Sequence, residues 1–189
     1  MTKSRMLSVL AICGLTLSSG SARAQVKPDD AITKIEAVFE PAVAKPGQTV
    51  TLKVTMVLAD GLHTYPVEQV DKAAKSQTNR FTFPEAGTVI FVDKVSDPLD
   101  YKTKAETVLD IEELRYLPKG GIWERKAVVA PTATAGTTET EVKFRVLVCN
   151  KDNCFPPKML VLKAKLTVEG AAVAVEAKYA DEVKKATGK

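Results

Sequence analysis

The stretch from Thr138 to Val168 reads TETEVKFRVLVCNKDNCFPPKMLVLKAKLTV, and it decides the fold. Two strand candidates, Thr138 to Cys149 and Met159 to Val168, each contain a stretch in which apolar and polar residues alternate, at 142–146 and at 162–166. Such alternation is typical of strands that bury one face, and a polar turn between two such runs predicts a β-hairpin. The face that we expect to point into the core consists of Val142, Phe144, Val146 and Val148.

The rest of the sequence also has the pattern of short strands separated by turns. Thr49 to Val57 alternates in the same way, and Pro46-Gly47 marks a turn just before it. The other predicted strands are Lys34 to Phe39, Leu62 to Tyr65, Thr88 to Val92 and Trp123 to Val129. About seven short strands without a strong helix predict an all-β protein, an antiparallel β-sandwich of the immunoglobulin-like type.

Two segments fit this pattern less well. Ser96 to Gly121 is long and mixed in character, and it is either a functional loop or a strand that the pattern hides. The segment 171–189 is rich in Ala, Glu and Lys. Its two interpretations are a short C-terminal helix and a frayed, solvated tail, and we favour the tail. The expected folded domain therefore runs from residue 25 to residue 170.

The N-terminus has the features of a secretory signal peptide. Lys3 and Arg5 precede an apolar run of about a dozen residues, and Ala22-Arg23-Ala24 provides a small-x-small cleavage site. Cleavage after Ala24 removes three basic residues and leaves 24 basic against 23 acidic ones, a net charge of +1. This charge indicates neither a nucleic-acid nor a membrane partner. Because no later apolar run is long enough to span a bilayer, we expect a soluble protein in an oxidising, exported compartment.

The exported chain would retain two of the three cysteines, Cys149 and Cys154, at the ends of the predicted turn. They can form one disulfide, whose role is either structural or redox. In the chain-entropy model a loop of about six residues adds only about 2 kcal/mol to stability, against about 5 kcal/mol for a loop of about 100 residues. A disulfide that mainly stabilised the sandwich would do better by joining distant strands. The loop length therefore favours a redox role without excluding a staple.

Strand parity places Cys149 on the face opposite to the core, together with Lys143 and Arg145. Nearby cations favour the thiolate, which is the attacking species in disulfide exchange. The other interpretation of these two basic residues is an ordinary solvated face. Metal binding finds little support, because a zinc site needs four ligands and the sequence offers these two cysteines and one distant histidine, His63. Cys–His nucleophilic catalysis finds little support because Cys154 gives Cys149 a partner for a disulfide. We predict no metal and no cofactor.

The pattern Cys-x4-Cys-Phe-Pro-Pro, between an alternating strand and Met159-Leu160-Val161-Leu162, resembles one family. It is similar to the N-terminal periplasmic domain of the thiol:disulfide interchange protein DsbD, and the similarity extends over residues 32–170. Outside the hairpin, the resemblance depends on Gly61-Leu62-His63-Thr64-Tyr65 and on the order of the strands. It implies an immunoglobulin-like sandwich that carries a redox cysteine pair on a hairpin.

The resemblance also implies the residues of a site. Cys149 and Cys154 would be the catalytic pair, which forms an exchangeable disulfide. His63 and Tyr65 would line the cysteine pocket and influence the thiol pKa, with packing at a strand end as the other interpretation. The remaining expected pocket residues, which follow the second cysteine, are Phe155 and Pro156.

Two further expectations concern access to the disulfide. In the family a cap shields the cysteine pair, and here residues 112–117 would lie in its place, with Tyr116 as the shielding ring or as an ordinary packed residue. Because the two residues after Cys154 crowd it, the sequence predicts that Cys149 is the more exposed sulfur. The resemblance implies the opposite choice of attacked sulfur, since the second cysteine of the family joins the partner.

By this resemblance the protein is expected to be a thiol–disulfide oxidoreductase that relays electrons in the periplasm. Its partners would be thioredoxin-like proteins, such as disulfide isomerases and the thioredoxins of cytochrome c biogenesis. The sequence has no Cys-x-x-Cys pair, so a separate membrane electron carrier would have to supply the electrons, and the direction of transfer stays open. The alternative function is a non-catalytic β-sandwich that binds a partner or an envelope component and uses the disulfide as a staple.

Overall fold

The computed structural model describes residues 27–188, so the predicted signal peptide lies outside the described residues. The strands in this range are β1 (Ile32–Glu40), β2 (Val43–Ala44), β3 (Thr49–Leu58), β4 (His63–Thr64), β5 (Arg80–Thr82), β6 (Val89–Phe91), β7 (Lys102–Glu106), β8 (Ile111–Pro118), β9 (Gly120–Val129), β10 (Gly136–Val146) and β11 (Lys158–Val168). The helical elements are α1 (Ala180–Thr187) and the 3-10 turns Pro28–Asp30, Lys72–Ser76, Thr107–Leu109 and Ala177–Tyr179. Within residues 27–188, no helix has both the length and the apolar character needed to cross a membrane.

Two four-stranded sheets form a β-sandwich. One sheet has the strand order β1-β3-β9-β6 and the other has the order β2-β11-β10-β5. All of their strand pairs are antiparallel except that of β2 with β11. β10 and β11 pair over their whole length, from the Gly136/Val168 pair to the Val146/Lys158 pair. The predicted all-β, immunoglobulin-like antiparallel sandwich is confirmed.

The core lies between the two sheets and is filled by alternate residues of their strands. In β10 the side chains of Val142, Phe144 and Val146 are at most 1 % exposed, as the alternation predicts. The ring of Phe144 stacks on Phe81 at 4.1 Å and meets Trp123 edge-on at 5.2 Å, measured between ring centroids. Burying a large apolar side chain contributes about 1.5–3 kcal/mol, so this cluster holds the two sheets together.

A third, smaller sheet explains the mixed character of Ser96 to Gly121. It has the order β4-β8-β7, and β7 and β8 form a hairpin inside that segment. The segment therefore contains two strands that the pattern hides. β7 contains no buried residue, and β8 buries its residues at a spacing of three, at Ile111, Leu114 and Leu117. Neither strand has the alternation of apolar and polar residues from which strands are predicted.

The seven strands that the sequence predicts are all present, with ends shifted by a few residues. Besides the β7–β8 hairpin, the prediction missed β2 and β5, which are two and three residues long. A pattern with a period of two cannot be recognised over so few residues. Both strands lie at the edges of their sheet, where partners from elsewhere in the chain define them.

The segment 171–188 is packed against the sandwich and is not the frayed tail that we favoured. Tyr179 and Val183 are 3 % and 5 % exposed. They cover apolar residues on the outer face of the β1-β3-β9-β6 sheet, namely Ile90, Val92, Val128 and Ala130. The hydroxyl of Tyr179 also donates a hydrogen bond to Asp93 at 2.8 Å. Burial of apolar surface therefore favours the docked helix, the other of the two interpretations.

Candidate redox site

Cys149 and Cys154 are joined by a disulfide at the end of the β10–β11 hairpin. Cys149 is also paired through its backbone with His63 of β4, since each of these residues donates its N–H to the carbonyl oxygen of the other at 2.9 Å. These two hydrogen bonds hold β4 beside the hairpin. The disulfide therefore lies at the junction between the sandwich and the third sheet.

The two cysteines differ strongly in exposure. Cys149 is 1 % exposed, whereas Cys154 belongs to the exposed residues. The expectation that Cys149 would be the more exposed sulfur was wrong. A second apolar cluster forms where the third sheet meets the hairpin, and it buries Cys149 among Tyr65, Ala74, Ile111, Leu114 and Leu147. Strand parity gave no sign of this cluster because β8 had not been recognised as a strand.

The hydroxyl of Tyr65 lies between the disulfide and His63. It donates a hydrogen bond to Sγ of Cys149 at 3.3 Å and is 3.9 Å from Sγ of Cys154. On its other side it is 3.3 Å from Nε2 of His63. When the hydroxyl donates to sulfur, Nε2 of His63 can donate to the hydroxyl oxygen. The three groups then form a chain of hydrogen bonds that ends on the buried sulfur.

Burial shifts the pKa values of both Tyr65 and His63. It raises the pKa of Tyr65 to about 12, with a further contribution from the carboxylate of Glu106. It lowers the pKa of His63 from 6.5 to about 4, with a further contribution from the positive charge of Lys104. At neutral pH the phenol is therefore protonated and the imidazole is uncharged. Tyr65 is thus a hydrogen-bond donor throughout the physiological pH range.

A cleft with a volume of about 110 Å³ opens beside the disulfide. Besides the two cysteines, it is lined by Lys104 and Glu106 of β7, by Leu109 of the following turn, and by the hairpin tip, residues 150–153. Both signs of charge occur among these residues. Sites for drug-sized ligands have volumes of about 300 Å³ or more, so this cleft suits the entry of a single side chain towards the disulfide.

The structure brings His63 and Tyr65 together with both cysteines, as the sequence predicts. Tyr116 does not line the cleft, and its half-buried ring packs edge-on against His63, with 5.3 Å between the ring centroids. The expected cap at residues 112–117 is part of β8.

Phe155 and Pro156 lie outside the cleft that the cysteines line. They line a separate apolar groove together with Pro28, Ala31 and Ile32. Phe155 also packs against the main core of the sandwich. The structure therefore does not bring these two residues into the group around the cysteines.

Lys143 and Arg145 do not line the cleft either. They share a strand face with Cys149, but Leu147 lies between them and the cysteine and is buried in the second apolar cluster. The cations that do line the cleft are Lys104 and Lys151. The structure therefore does not support the idea that Lys143 and Arg145 stabilise a thiolate.

Asn79, which the sequence did not indicate as a site residue, joins the site to the sandwich through hydrogen bonds. This fully buried side chain accepts a hydrogen bond from the N–H of Leu147 at 2.9 Å and donates one to the carbonyl oxygen of Tyr65 at 2.6 Å. The hydroxyl of Thr64 donates to the carbonyl oxygen of Leu147 at 2.8 Å. These bonds fix Tyr65 relative to the hairpin. In the sequence Asn79 is one polar residue in a polar stretch, which indicates only a turn.

Two further side chains fasten the segment between β4 and β5 to β8. Gln69 accepts a hydrogen bond from the N–H of Arg115 at 3.0 Å and donates one to its carbonyl oxygen at 2.8 Å. Asp71 accepts one from the N–H of Glu112 at 2.9 Å. These side chains replace the strand partner that β8 lacks beyond its short pairing with β4. The layer over Cys149 is therefore held by defined hydrogen bonds as well as by apolar contacts.

This chain resembles known proteins in its fold. No protein-family model and no curated protein sequence matches this chain. The structure is similar to the N-terminal periplasmic domain of ScsB from Proteus mirabilis, with a TM-score of 0.50 and 12 % identity over 87 % of this chain and 57 % of that one. It is also similar to the DsbD N-terminal domain of Neisseria meningitidis in the reduced form, with a TM-score of 0.38 and 15 % identity over 76 % of this chain and 90 % of that one. A type I cohesin–dockerin complex from Clostridium thermocellum has a TM-score of 0.39 and 13 % identity over 72 % of this chain and 100 % of that one.

At these identities the similarity shows the fold alone. The chain spans 57 % of the length of the ScsB domain structure that it matches. The fold is an immunoglobulin-like β-sandwich similar to that of the ScsB N-terminal domain, and it carries a disulfide beside a small cleft.

The lowered pKa of His63 predicts how the stability of the protein depends on pH. In the unfolded chain the imidazole binds a proton near pH 6.5, whereas in the folded protein it does so only near pH 4. Between these values the unfolded state holds more protons, so the free energy of unfolding falls as the pH falls. We expect urea unfolding of the oxidised protein to show a steeper decrease from pH 7 towards pH 4 than that of His63→Gln. Equal pH dependence of the two proteins would contradict the buried, neutral imidazole.

Proposed function

We propose that the protein is an exported thiol:disulfide interchange module that relays electrons through the Cys149–Cys154 disulfide. The observation that carries this proposal is the asymmetry of the site. Cys154 is exposed at the hairpin tip, whereas Cys149 is buried and accepts a hydrogen bond from Tyr65 at 3.3 Å. One sulfur is thus accessible to a partner, and the other has a donor for the charge that develops when the disulfide opens. A disulfide that is only a staple needs neither feature.

Exchange begins when the thiolate of a reduced partner attacks Sγ of Cys154. A bond forms between the partner sulfur and Cys154, the Cys149–Cys154 bond breaks, and Cys149 leaves as a thiolate. A second thiolate of the partner then attacks the partner's own sulfur in the mixed disulfide and releases Cys154 as a thiolate. Two electrons have passed from the partner dithiol to the cysteine pair, and the partner holds a new disulfide. The same steps in reverse reduce an oxidised partner.

Tyr65 acts on the leaving sulfur in this mechanism. Its hydroxyl already points at Sγ of Cys149, so its hydrogen bond strengthens as negative charge develops there. His63 supports the orientation of the hydroxyl through Nε2. Because its pKa is about 12, the phenol keeps its proton and stabilises the thiolate as a donor. Lys104 and Lys151 at the cleft add positive charge beside it.

The rest of the proposal follows the resemblance to DsbD. The signal peptide would be cleaved after Ala24, and residues 25–170 would form a DsbD N-terminal-type domain, with 171–189 as an appendage. The protein would act in the periplasm on thioredoxin-like proteins, including disulfide isomerases and those of cytochrome c biogenesis. A separate membrane electron carrier would supply electrons to the cysteine pair.

The reduction potential of the disulfide separates this function from the alternative, a non-catalytic binding sandwich with a staple. We expect a value near about −200 mV for the relay, whereas a staple would lie below about −300 mV and resist glutathione. Equilibration in glutathione buffers, followed by counting of free thiols, measures the reduction potential.

In the double variant Cys149→Ser/Cys154→Ser we expect the free energy of unfolding to fall by about 2 kcal/mol or less, since the loop is short. A loss of several kcal/mol would favour the staple.

Single-cysteine variants identify the sulfur that joins the partner. Because Cys154 is exposed and Cys149 is buried, we expect the Cys154 thiolate of Cys149→Ala to react with a thioredoxin that lacks its resolving cysteine and whose remaining cysteine is activated as a mixed disulfide with thionitrobenzoate. The attack releases thionitrobenzoate and leaves the two proteins joined by a disulfide. Cys154→Ala should form this adduct at least about tenfold more slowly, because its remaining thiol is shielded. Non-reducing gels and intact mass measure the rates. Faster trapping by Cys154→Ala would reverse the assignment.

Substitution of Tyr65 tests the role of its hydroxyl. A hydrogen bond to a charged group contributes about 1.5–3 kcal/mol, so Tyr65→Phe should slow the opening of the disulfide by dithiothreitol about ten- to hundredfold. The pKa of the Cys149 thiol in the reduced protein should rise at the same time. Tyr116→Phe is the matched control, because Tyr116 packs on His63 without lining the cleft. If both variants react at the wild-type rate, the hydroxyl has no part in exchange.

A further inference from the structure

A surface of basic and exposed apolar side chains lies on the outer face of the β2-β11-β10-β5 sheet. Strand register places Arg80, Arg145 and Met159 in one row across three strands, and Thr82, Lys143 and Val161 in the next row. We call the following set the basic face: Arg80, Lys143, Arg145, Met159 and Val161. At about 3.3 Å per residue, the row of Arg145 lies about 13 Å from Cys149 along the chain. The buried Leu147 lies between that row and Cys149, so the basic face begins next to the layer that covers the disulfide.

The cations of the basic face have no acidic partners. Arg80 and Arg145 are cross-strand neighbours, and Lys143 is in the adjacent row. Within residues 27–188 none of the three forms an ion pair. Like charges on paired strands destabilise a sheet. The isolated fold thus gains nothing from this grouping, whereas a negatively charged partner would find three unpaired cations.

At the opposite end of the same sheet face, basic residues have acidic neighbours. Lys163 is paired across the strands with Glu141, and Lys165 with Glu139. Lys163 also forms an ion pair with Glu139 at 3.0 Å. Each of these two lysines therefore faces a glutamate on the neighbouring strand, whereas the strand register gives Arg80, Lys143 and Arg145 no acidic neighbour.

The basic face also exposes apolar side chains in the direction of the reactive sulfur. Met159 and Val161 are 54 % and 53 % exposed and lie on one side of β11. The chain continues from Met159 back through the exposed Pro157 to the exposed Cys154. Methionine and arginine are enriched in protein interfaces. A protein that brings a cysteine to Cys154 would cover these side chains next.

We propose that the basic face docks the acidic flank of the thiol protein that exchanges with Cys154, an inference that rests on the proposed function. The partner has an apolar surface beside its reactive cysteine, which covers Met159 and Val161. Its carboxylates lie beyond that surface and pair with Arg80, Lys143 and Arg145. Charge complementarity of this kind raises the rate of encounter and decides which partner reacts. The hairpin supplies the chemistry, and the basic face selects the partner.

Two synthetic peptide thiols test this docking. Each has about ten residues, with an N-terminal cysteine, a leucine near it, and either glutamates or lysines in the distal half. When extended, such a peptide spans roughly 33 Å and reaches from Cys154 past Val161. One peptide thiolate attacks Cys154, a second resolves the mixed disulfide, and the products are a peptide disulfide and the two reduced protein cysteines. The rate is followed by alkylation of the protein thiols and mass measurement at low and at high salt.

We expect the acidic peptide to reduce the wild-type disulfide about tenfold faster than the basic one at low salt, with a smaller difference at high salt. Arg80→Glu/Lys143→Glu should abolish or reverse this preference. Lys45, which follows β2, and Lys165 of β11 lie at the far end of the sheet. The variant Lys45→Glu/Lys165→Glu makes the same charge change there and should retain the preference. If Arg80→Glu/Lys143→Glu does not fold, Lys143→Gln alone should still reduce the preference.

Equal rates for the two peptides on the wild-type protein would overturn the docking proposal and leave the relay standing. Equal loss of preference in both double variants would also overturn it, because net charge and not the basic face would then be responsible. A disulfide that neither peptide opens, together with a potential below about −300 mV, would refute the proposed function itself and the docking with it.

Discussion

The reciprocal hydrogen bonds between His63 and Cys149 are the interaction on which the site depends. Two N–H···O bonds of 2.9 Å join Cys149, in the segment after β10, to β4, and β4 is an edge strand of the third sheet. Without this junction the hairpin would present both cysteines to solvent. With it, one cysteine is buried under Tyr65 and Leu114 while the other stays exposed. The chemical difference between the two sulfurs is thus a consequence of backbone pairing between segments that are 86 residues apart.

Hydrogen bonds supplement the apolar contacts at the junction, where the buried cluster is small. β7 has no buried residue, and the second cluster is much smaller than the main core. Asn79 compensates by bonding to both sides of the junction from a fully buried position. A buried amide that lost these partners would cost about 1–3 kcal/mol, so Asn79 stabilises the junction only while both hydrogen bonds are made. A rigid sandwich therefore carries a site whose geometry is defined by polar contacts at its edge.

Particular elements show where sequence reasoning succeeds and where it does not. β10 and β11 were predictable because each buries one face and pairs with its neighbour in sequence, so the alternation is complete. β7 was missed because it buries no residue, and β8 was missed because its burial depends on contacts with distant segments, which the local pattern does not record. The C-terminal helix was misjudged for the same reason, since Tyr179 and Val183 become meaningful only against an apolar patch formed by distant strands.

The sequence by itself determined the β-sandwich, the hairpin that carries the two cysteines, and the grouping of His63 and Tyr65 with them. Those features follow from local alternation and from a short recognisable pattern. Only the tertiary structure decided which sulfur is accessible, which residues line the cleft, and that Asn79 holds the site together. Exposure and pKa depend on what packs over a residue, and here the covering layer comes from strands far away in the chain. For that reason the parity of one strand placed Cys149 on the correct face but gave the wrong environment for it.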